Sequence, residues 1–293
     1  MKTSLIASLA LVLALAACQT NPITGRSQLM LVSEDSAIAA SKEAYVAMLQ
    51  PLEKSGKINN DPAETARIER ITGLLVAQAI KFRPETKDWE WSIKVIDDPK
   101  TVNAWAMAGG KMAIYTGLID QLKATDDELA QVLGHEISHA LAKHTAERMS
   151  RAMAMEAGLG VLAATTQSSQ YGGLALTGAQ LAAVVALELP NSRGAESEAD
   201  RIGLELAAKA GFDPHAAVTL WDKMGKVGGG DGSSRFDFLS THPAPAKRME
   251  TLAEMVPQMM PFYLDKSPRP TYPIHSASSA SVGTPAGQSA KAQ

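Results

Sequence analysis

The sequence predicts an α+β fold, mostly helical, with one small mixed sheet beside a metal-binding helix. Three observations predict it. Alanine is abundant while aromatic residues make up only 5% of the chain, which favours packed helices over a sandwich. Apolar residues recur at helical period along most of the length, and the alternation of strands is confined to residues 89–116. Directly after that stretch comes His135-Glu136-Ile137-Ser138-His139, set on a well-signalled helix.

The chain opens with Met1-Lys2 and an apolar run from Leu5 to Ala17, short for a permanent span. Leu15-Ala16-Ala17-Cys18 resembles the lipobox of bacterial lipoproteins. That makes residues 1–17 a signal peptide and Cys18 the lipidation site, anchoring the mature chain to a membrane through more than one acyl chain. Cys18 is the sole cysteine, so the mature fold must stand without disulfides. Gln19 in place of Asp after the cysteine resembles the pattern sorted to the outer membrane of a Gram-negative cell. A net charge of −3 and the lack of a basic run exclude nucleic acid as a partner.

Residues 18–33 read as a polar tether with a turn at Asn21-Pro22-Ile23-Thr24-Gly25-Arg26. A helix follows Ser33, with Glu34 and Asp35 in its first turn, and should stop near Gln50 before Pro51. Asp61 as N-cap, Pro62 at N1 and Glu64 at N3 start the next, which carries Ile68, Ile71, Leu74, Leu75 and Ile80 and ends near Pro84. Trp89, Trp91, Ile93 and Val95 alternate with Glu90, Ser92 and Lys94, a half-buried strand. Asn103 to Met107 and Lys111 to Thr116 are two more strands, joined at Gly109-Gly110.

Thr125-Asp126-Asp127-Glu128 is a capping box, and Leu129, Leu133, Ile137 and Ala140 give the following helix a core-facing stripe. Each helical residue advances about 100°, so His135 and His139 differ by only about 40° and can both ligate one Zn²⁺. Glu136, about 100° round from His135, is placed as a proton acceptor for the attacking water. A catalytic zinc needs a third protein ligand. His144 lies about 180° round the same helix from His135 and reads as a surface or packing residue. Glu196 fits better: it shares a helix face with Asp200, which can accept the free N–H of a ligating histidine. Glu198 points about 160° away from Glu196 and should face solvent.

Residues 157–187 contain no charge. Two readings stand: Ala-rich helices covering the cleft as a lid, or a hairpin touching membrane. A helix from Ser192 to Gly211, another after Asp213-Pro214, a flexible loop over residues 225–234, and a last helix carrying Arg248, Met249 and Leu252 complete a domain at residues 34–262. Residues 263–293 read as a disordered tail.

The motif His135-Glu136-Ile137-Ser138-His139, the run Ser192-Arg193-x-x-Glu196-x-x-Ala199-Asp200, the Asn103-Ala104 strand and Thr241-His242-Pro243 together resemble the HtpX and CAAX-prenyl-protease (Ste-type) zinc metallopeptidases. Within them the periplasmic lipoprotein group (BepA, LoiP and YcaL) is the most similar. The resemblance implies a gluzincin fold and one zinc per chain on His135, His139 and Glu196, with Glu136 catalytic. It places His242 near the metal, either closing its open position at rest or helping to stabilise the oxyanion, with Arg248 supporting that loop. In such enzymes a sheet edge pairs with extended substrate, here Asn103, Ala104, Trp105 and Ala106, unless that strand is purely structural. The implied partners are unfolded or misassembled envelope proteins. An alternative is an envelope chaperone with a latent or structural zinc site. No tetratricopeptide array like that of BepA is read, so docking through such repeats is not expected.

Overall fold

The computed structural model describes residues 18–166, 189–228, 238, 242 and 247–274. Its centre is a three-stranded sheet, β3 (Ser92–Ile96), β4 (Ala104–Met107) and β5 (Lys111–Tyr115), in the order β3-β5-β4. β3 pairs with β5 in parallel and β4 with β5 antiparallel, so the sheet is mixed and β4 is an edge. The helices are α1 (Glu34–Lys54), α2 (Pro62–Phe82), α3 (Thr116–Gln121), α4 (Asp126–Leu141), α5 (His144–Thr166), α6 (Leu189–Ala210), α7 (Ala216–Gly228) and α8 (Arg248–Leu264).

Side chains alternate across β3 and β5 and so serve two cores. Ile93, Val95, Met112 and Ile114 face the main core, which joins Ile71 and Leu75 of α2, Leu129 and Leu133 of α4 and Leu206 of α6. Ile96 and Ala113 face the other way, onto Tyr45 and Leu49 of α1. The half-buried reading of the first strand is therefore corrected: β3 is covered on both faces and even Lys94 is buried. Its ordered pairing also begins at Ser92 rather than Trp89.

Local chemistry explains the helix ends. Asp61 accepts from the Ala63 and Glu64 amides at 2.8 and 3.2 Å, with Pro62 at the first position. Gly211 leaves α6 at φ 96°. The stop expected before Pro51 is not observed, because α1 runs through it to Lys54. Pro51 forgoes the amide bond to the Ala47 carbonyl, and the helix ends within one turn after it.

Two boundaries move. Residues 18–33 are no free tether: β1 (Cys18–Thr20) and β2 (Ser27–Leu29) form a hairpin, and Asn21 and Gln28 are buried. The tail boundary moves from 263 to beyond 274. α8 continues to Leu264, Arg269 donates to the Lys209 carbonyl at 2.8 Å, and the Tyr272 amide donates to the Gly73 carbonyl at 2.9 Å. Helix α7 likewise extends to Gly228, into the stretch expected to be a loop. Residues 1–17, 167–188, 229–237, 239–241, 243–246 and 275–293 lie outside the described residues, and with them most of the 157–187 stretch. No described helix is long and apolar enough to cross a membrane.

Candidate metal centre and active site

The centre is built where α4 crosses α6. Thr125 accepts from the Glu128 amide and the Glu128 carboxylate accepts from the Thr125 amide, fixing the start of α4 as the capping box predicts. At the crossing both backbones are bare. A β-carbon at Gly203 would stand 2.7 Å from the His135 nitrogen, and one at Gly134 would stand 2.9 Å from the Gly203 carbonyl oxygen. Only glycine allows that approach, which brings Glu196 and Asp200 over the histidines within two turns of the contact.

Three donor atoms converge there. His135 Nε2 lies 3.1 Å from His139 Nε2 and 3.3 Å from Glu196 Oε2, and His139 Nε2 lies 3.5 Å from Glu196 Oε1. Ligands about 2.0–2.1 Å from a tetrahedral zinc stand roughly 3.3 Å apart. The donors thus already have the spacing of one face of that tetrahedron. Two imidazole nitrogens aimed at each other repel unless a cation takes up their lone pairs, so the donor set fits zinc. His242 Nδ1 supplies a fourth corner, 3.4 Å from His135 Nε2 and 3.1 Å from Glu196 Oε1; all four donors lie within 4.8 Å of one another.

The electrostatics agree with the donor chemistry. Burial, then His135 and His144, push His139 well below the usual imidazole range, leaving it a neutral base. Burial alone would raise Glu196, but hydrogen bonds from His135 and His242 reverse this and hold it far below the carboxylate range. His135 is lowered by burial yet raised overall to about 9 by Asp200 and Glu196, so a metal arriving here displaces a proton. Glu136 is different. Burial raises its pKa, against His242 and His135, and its Oε1 has no hydrogen-bond partner although His242 Nε2 is 3.3 Å away.

Around this centre the expected neighbours are brought together. Asp200 Oδ1 stands 3.0 Å from His135 Nδ1. Arg248 donates to Asp200 at 2.5 Å and to Glu196 at 3.4 Å, with its guanidinium 4.0 Å over the Trp221 ring. Arg248 also stands 3.3 Å from His135 Nδ1, and the loop it was expected to support lies, apart from His242, outside the described residues. One expectation narrows and one is overturned. His144 is neither on the surface nor in phase with α4: the helix ends at Leu141, Lys143 takes φ 60°, and α5 begins at His144. That turn lays His144 Nδ1 2.9 Å from His139 Nδ1. Glu198, expected in solvent, is 3.1 Å from His144 Nε2 and accepts from Arg26 at 2.7 Å. Nothing in the local sequence announces the break at Ala142-Lys143. The sequence gives no signal for Trp221 under Arg248 or for Phe238, whose ring is 4.7 Å from that of His242.

A cleft of ≈ 460 Å³ opens onto Glu136, His139 and His242 between α1 and α5, floored by β4. The Tyr115 amide donates to the Asn103 carbonyl, so by antiparallel alternation Ala104 and Ala106 turn their backbone groups away from β5. The Ala104 amide is taken by the Asn103 side chain at 2.9 Å, and the Ala106 backbone meets the Glu136 carboxylate.

Comparison with known proteins decides the family, because the model of peptidase family M48 matches residues 62–256, well over half of the chain. The chain belongs to peptidase family M48. Among M48 relatives, the mitochondrial metalloendopeptidase OMA1 of Schizosaccharomyces pombe is 33% identical over 238 residues, 81% of this chain and 66% of that protein. The OMA1 of Arabidopsis thaliana is 38% identical over 164 residues, covering 56% of this chain and 31% of that protein. The beta-barrel assembly-enhancing protease of Escherichia coli is 29% identical over 246 residues, 81% of this chain and 48% of its own length. The chain therefore spans between 31% and 66% of the length of these three relatives. M48 membership points to zinc, and His135, His139, Glu196 and His242 form a cluster able to bind it.

Proposed function

We propose that this chain is a zinc-dependent endopeptidase of the bacterial envelope, cleaving misfolded or misassembled outer-membrane proteins. The observation that carries the peptidase reading is the set of three donors at tetrahedral spacing, with the orphaned Glu136 carboxylate beside them. Zinc bound there supplies Lewis acidity, activating water and polarising the scissile carbonyl. Glu136, its pKa lifted by burial, takes the proton of the attacking water and passes it to the leaving amine. Asp200 fixes the tautomer of His135, and Arg248 holds Asp200 and Glu196 in place. With the Ala104 amide taken by Asn103 and the Ala106 backbone on Glu136, it is the carbonyls that Ala104 and Ala106 turn away from β5, with Trp105 beside them, that align an extended substrate along the cleft.

Within the family, the lipobox-like residues 15–18 and the likeness to the Escherichia coli protease support a periplasmic lipoprotein, anchored at the outer membrane through Cys18. His242 favours a latent resting state, because its Nδ1 stands at the corner that a reacting water needs. This is also the observation behind a second reading, a chaperone whose zinc site stays closed. Cleavage of an unfolded protein such as casein tests both. Glu136→Gln should keep zinc and lose at least about 1,000-fold in rate, and an unchanged rate removes the proposed role. His242→Ala should cleave faster than the parent if latency is right; no cleavage by either form, with zinc bound, favours the chaperone.

A further inference from the structure

The two histidine ligands are oriented by different means, and only one of them is accounted for by Asp200. His139 Nε2 faces the donor cluster, so its proton sits on Nδ1 and must be given away. The acceptor 2.9 Å away is His144 Nδ1. His144 then carries its own proton on Nε2 and donates it to Glu198 at 3.1 Å. Glu198 is held in turn by residues far away in sequence. It accepts from Arg26 Nε at 2.7 Å and from the Thr24 hydroxyl.

Arg26 does not end the chain of contacts. Its two terminal nitrogens fork onto Glu147 at 2.9 and 2.7 Å, and Glu147 also accepts from Gln28 at 2.7 Å. Gln28 and Asn21 both donate to the Ala142 carbonyl, at 2.8 and 3.2 Å. Ala142 is the residue at which α4 turns out of phase to deliver His144. The segment from Asn21 to Gln28 therefore grips both the turn that places His144 and the carboxylate that orients it.

We infer that His144, Glu198 and the β1–β2 segment around Arg26 form a positioning device for the zinc ligand His139, making the N-terminal hairpin a working part of the metal centre. The inference rests on the zinc reading above. A purely structural role fits poorly. The side chains of His144 and Glu147 are only 3% exposed and Glu198 only 11%, and buried polar chains of this kind stabilise less than apolar packing of the same volume. What the polar version supplies is direction. An imidazole nitrogen as acceptor fixes the His139 tautomer without placing a second carboxylate against the ligand, and the carboxylate of Glu198 stands one residue further out.

Zinc affinity of the full chain, measured by competition with a chromogenic chelator, tests this, with melting of the metal-free protein followed alongside. His144→Leu should raise the zinc Kd by about 10- to 100-fold. His144→Gln should restore it to within about threefold, because its amide oxygen accepts from His139 and its NH₂ donates to Glu198. Glu198→Ala, which leaves the packing around His139 intact, serves if His144→Leu fails to fold, and should raise Kd by roughly 3- to 10-fold. A parent-like Kd in His144→Leu or Glu198→Ala overturns the inference, as does a Gln variant no better than Leu. Loss of metal-free stability at unchanged Kd is the mark of scaffolding only, and also overturns it. A parent chain that takes up no zinc removes the metal centre itself, and this inference with it.

Discussion

The two sides of the metal centre solve one problem with different reach. On the His135 side everything is near at hand: Asp200 is one turn from Glu196 on α6, and a single arginine, Arg248, ties both carboxylates together. On the His139 side the acceptor is another imidazole, its carboxylate comes from α6, and the cation that steadies that carboxylate comes from residue 26. The difference teaches that a ligand can be held by a compact ion cluster or by a long relay. Only the compact kind is visible as a spacing.

The comparison is broken most easily on its compact side. Asp200→Ala removes the acceptor of His135 and leaves buried Arg248 short of a partner. It should raise the zinc Kd by about 10- to 100-fold and cost about 3 kcal/mol in denaturant melting. An unaltered Kd would mean that His135 needs no such partner. The shared support of both sides comes next. Gly203→Ala forces α6 away from the His135 backbone and should cost about 1–3 kcal/mol, with weaker zinc binding as Glu196 is displaced. Full stability in that variant would show that the crossing can open without loss.

The smallest expected effect sharpens the long-range side. Burial would raise Glu198, but His144, Thr24 and Arg26 hold it down at about 2, from an ordinary 4.5. A carboxylate depressed in the folded state adds stability that is fully present above its unfolded pKa and lost as pH falls through the folded one. The gap in Tm between the parent and Glu198→Gln should therefore be open above about pH 4.5 and close by about pH 2. A gap that stays constant across this window would assign the loss to packing instead.

The legibility of the site follows the same divide. His135, His139, Glu196 and Asp200 were readable because each pair is four apart on an uninterrupted helix, where spacing fixes direction. The helix of Glu136 was readable because its capping box is local chemistry, and the edge strand because two glycines at φ 81° and 79° mark its turn. His144 was misread for one reason: helical phase was carried through Ala142-Lys143, where tertiary contacts to Asn21 and Gln28 stop it. Glu198, which does point away from Glu196 on α6, was misread because its distant partners His144 and Arg26 were not foreseen. Lys94 was misread because alternation reports which side chains differ, not whether a helix covers both faces. The docked stretch up to residue 274 escaped notice because its attachment runs through backbone groups, Arg269 and the isolated apolar side chains of Tyr272 and Ile274 rather than an apolar period.

The reach of the relay has a consequence for biosynthesis. Arg26 meets Glu198 across 172 residues, and Arg248 meets His135 across 113. Contacts so distant along the chain form late and slowly, because the intervening loop must close first. A ribosome-bound chain that has exposed the histidine motif still lacks Glu196 and Arg248, so a hydrolytic centre cannot be assembled while synthesis is in its middle stages. The order in which its own parts emerge keeps the centre unmade until Arg248 has left the ribosome.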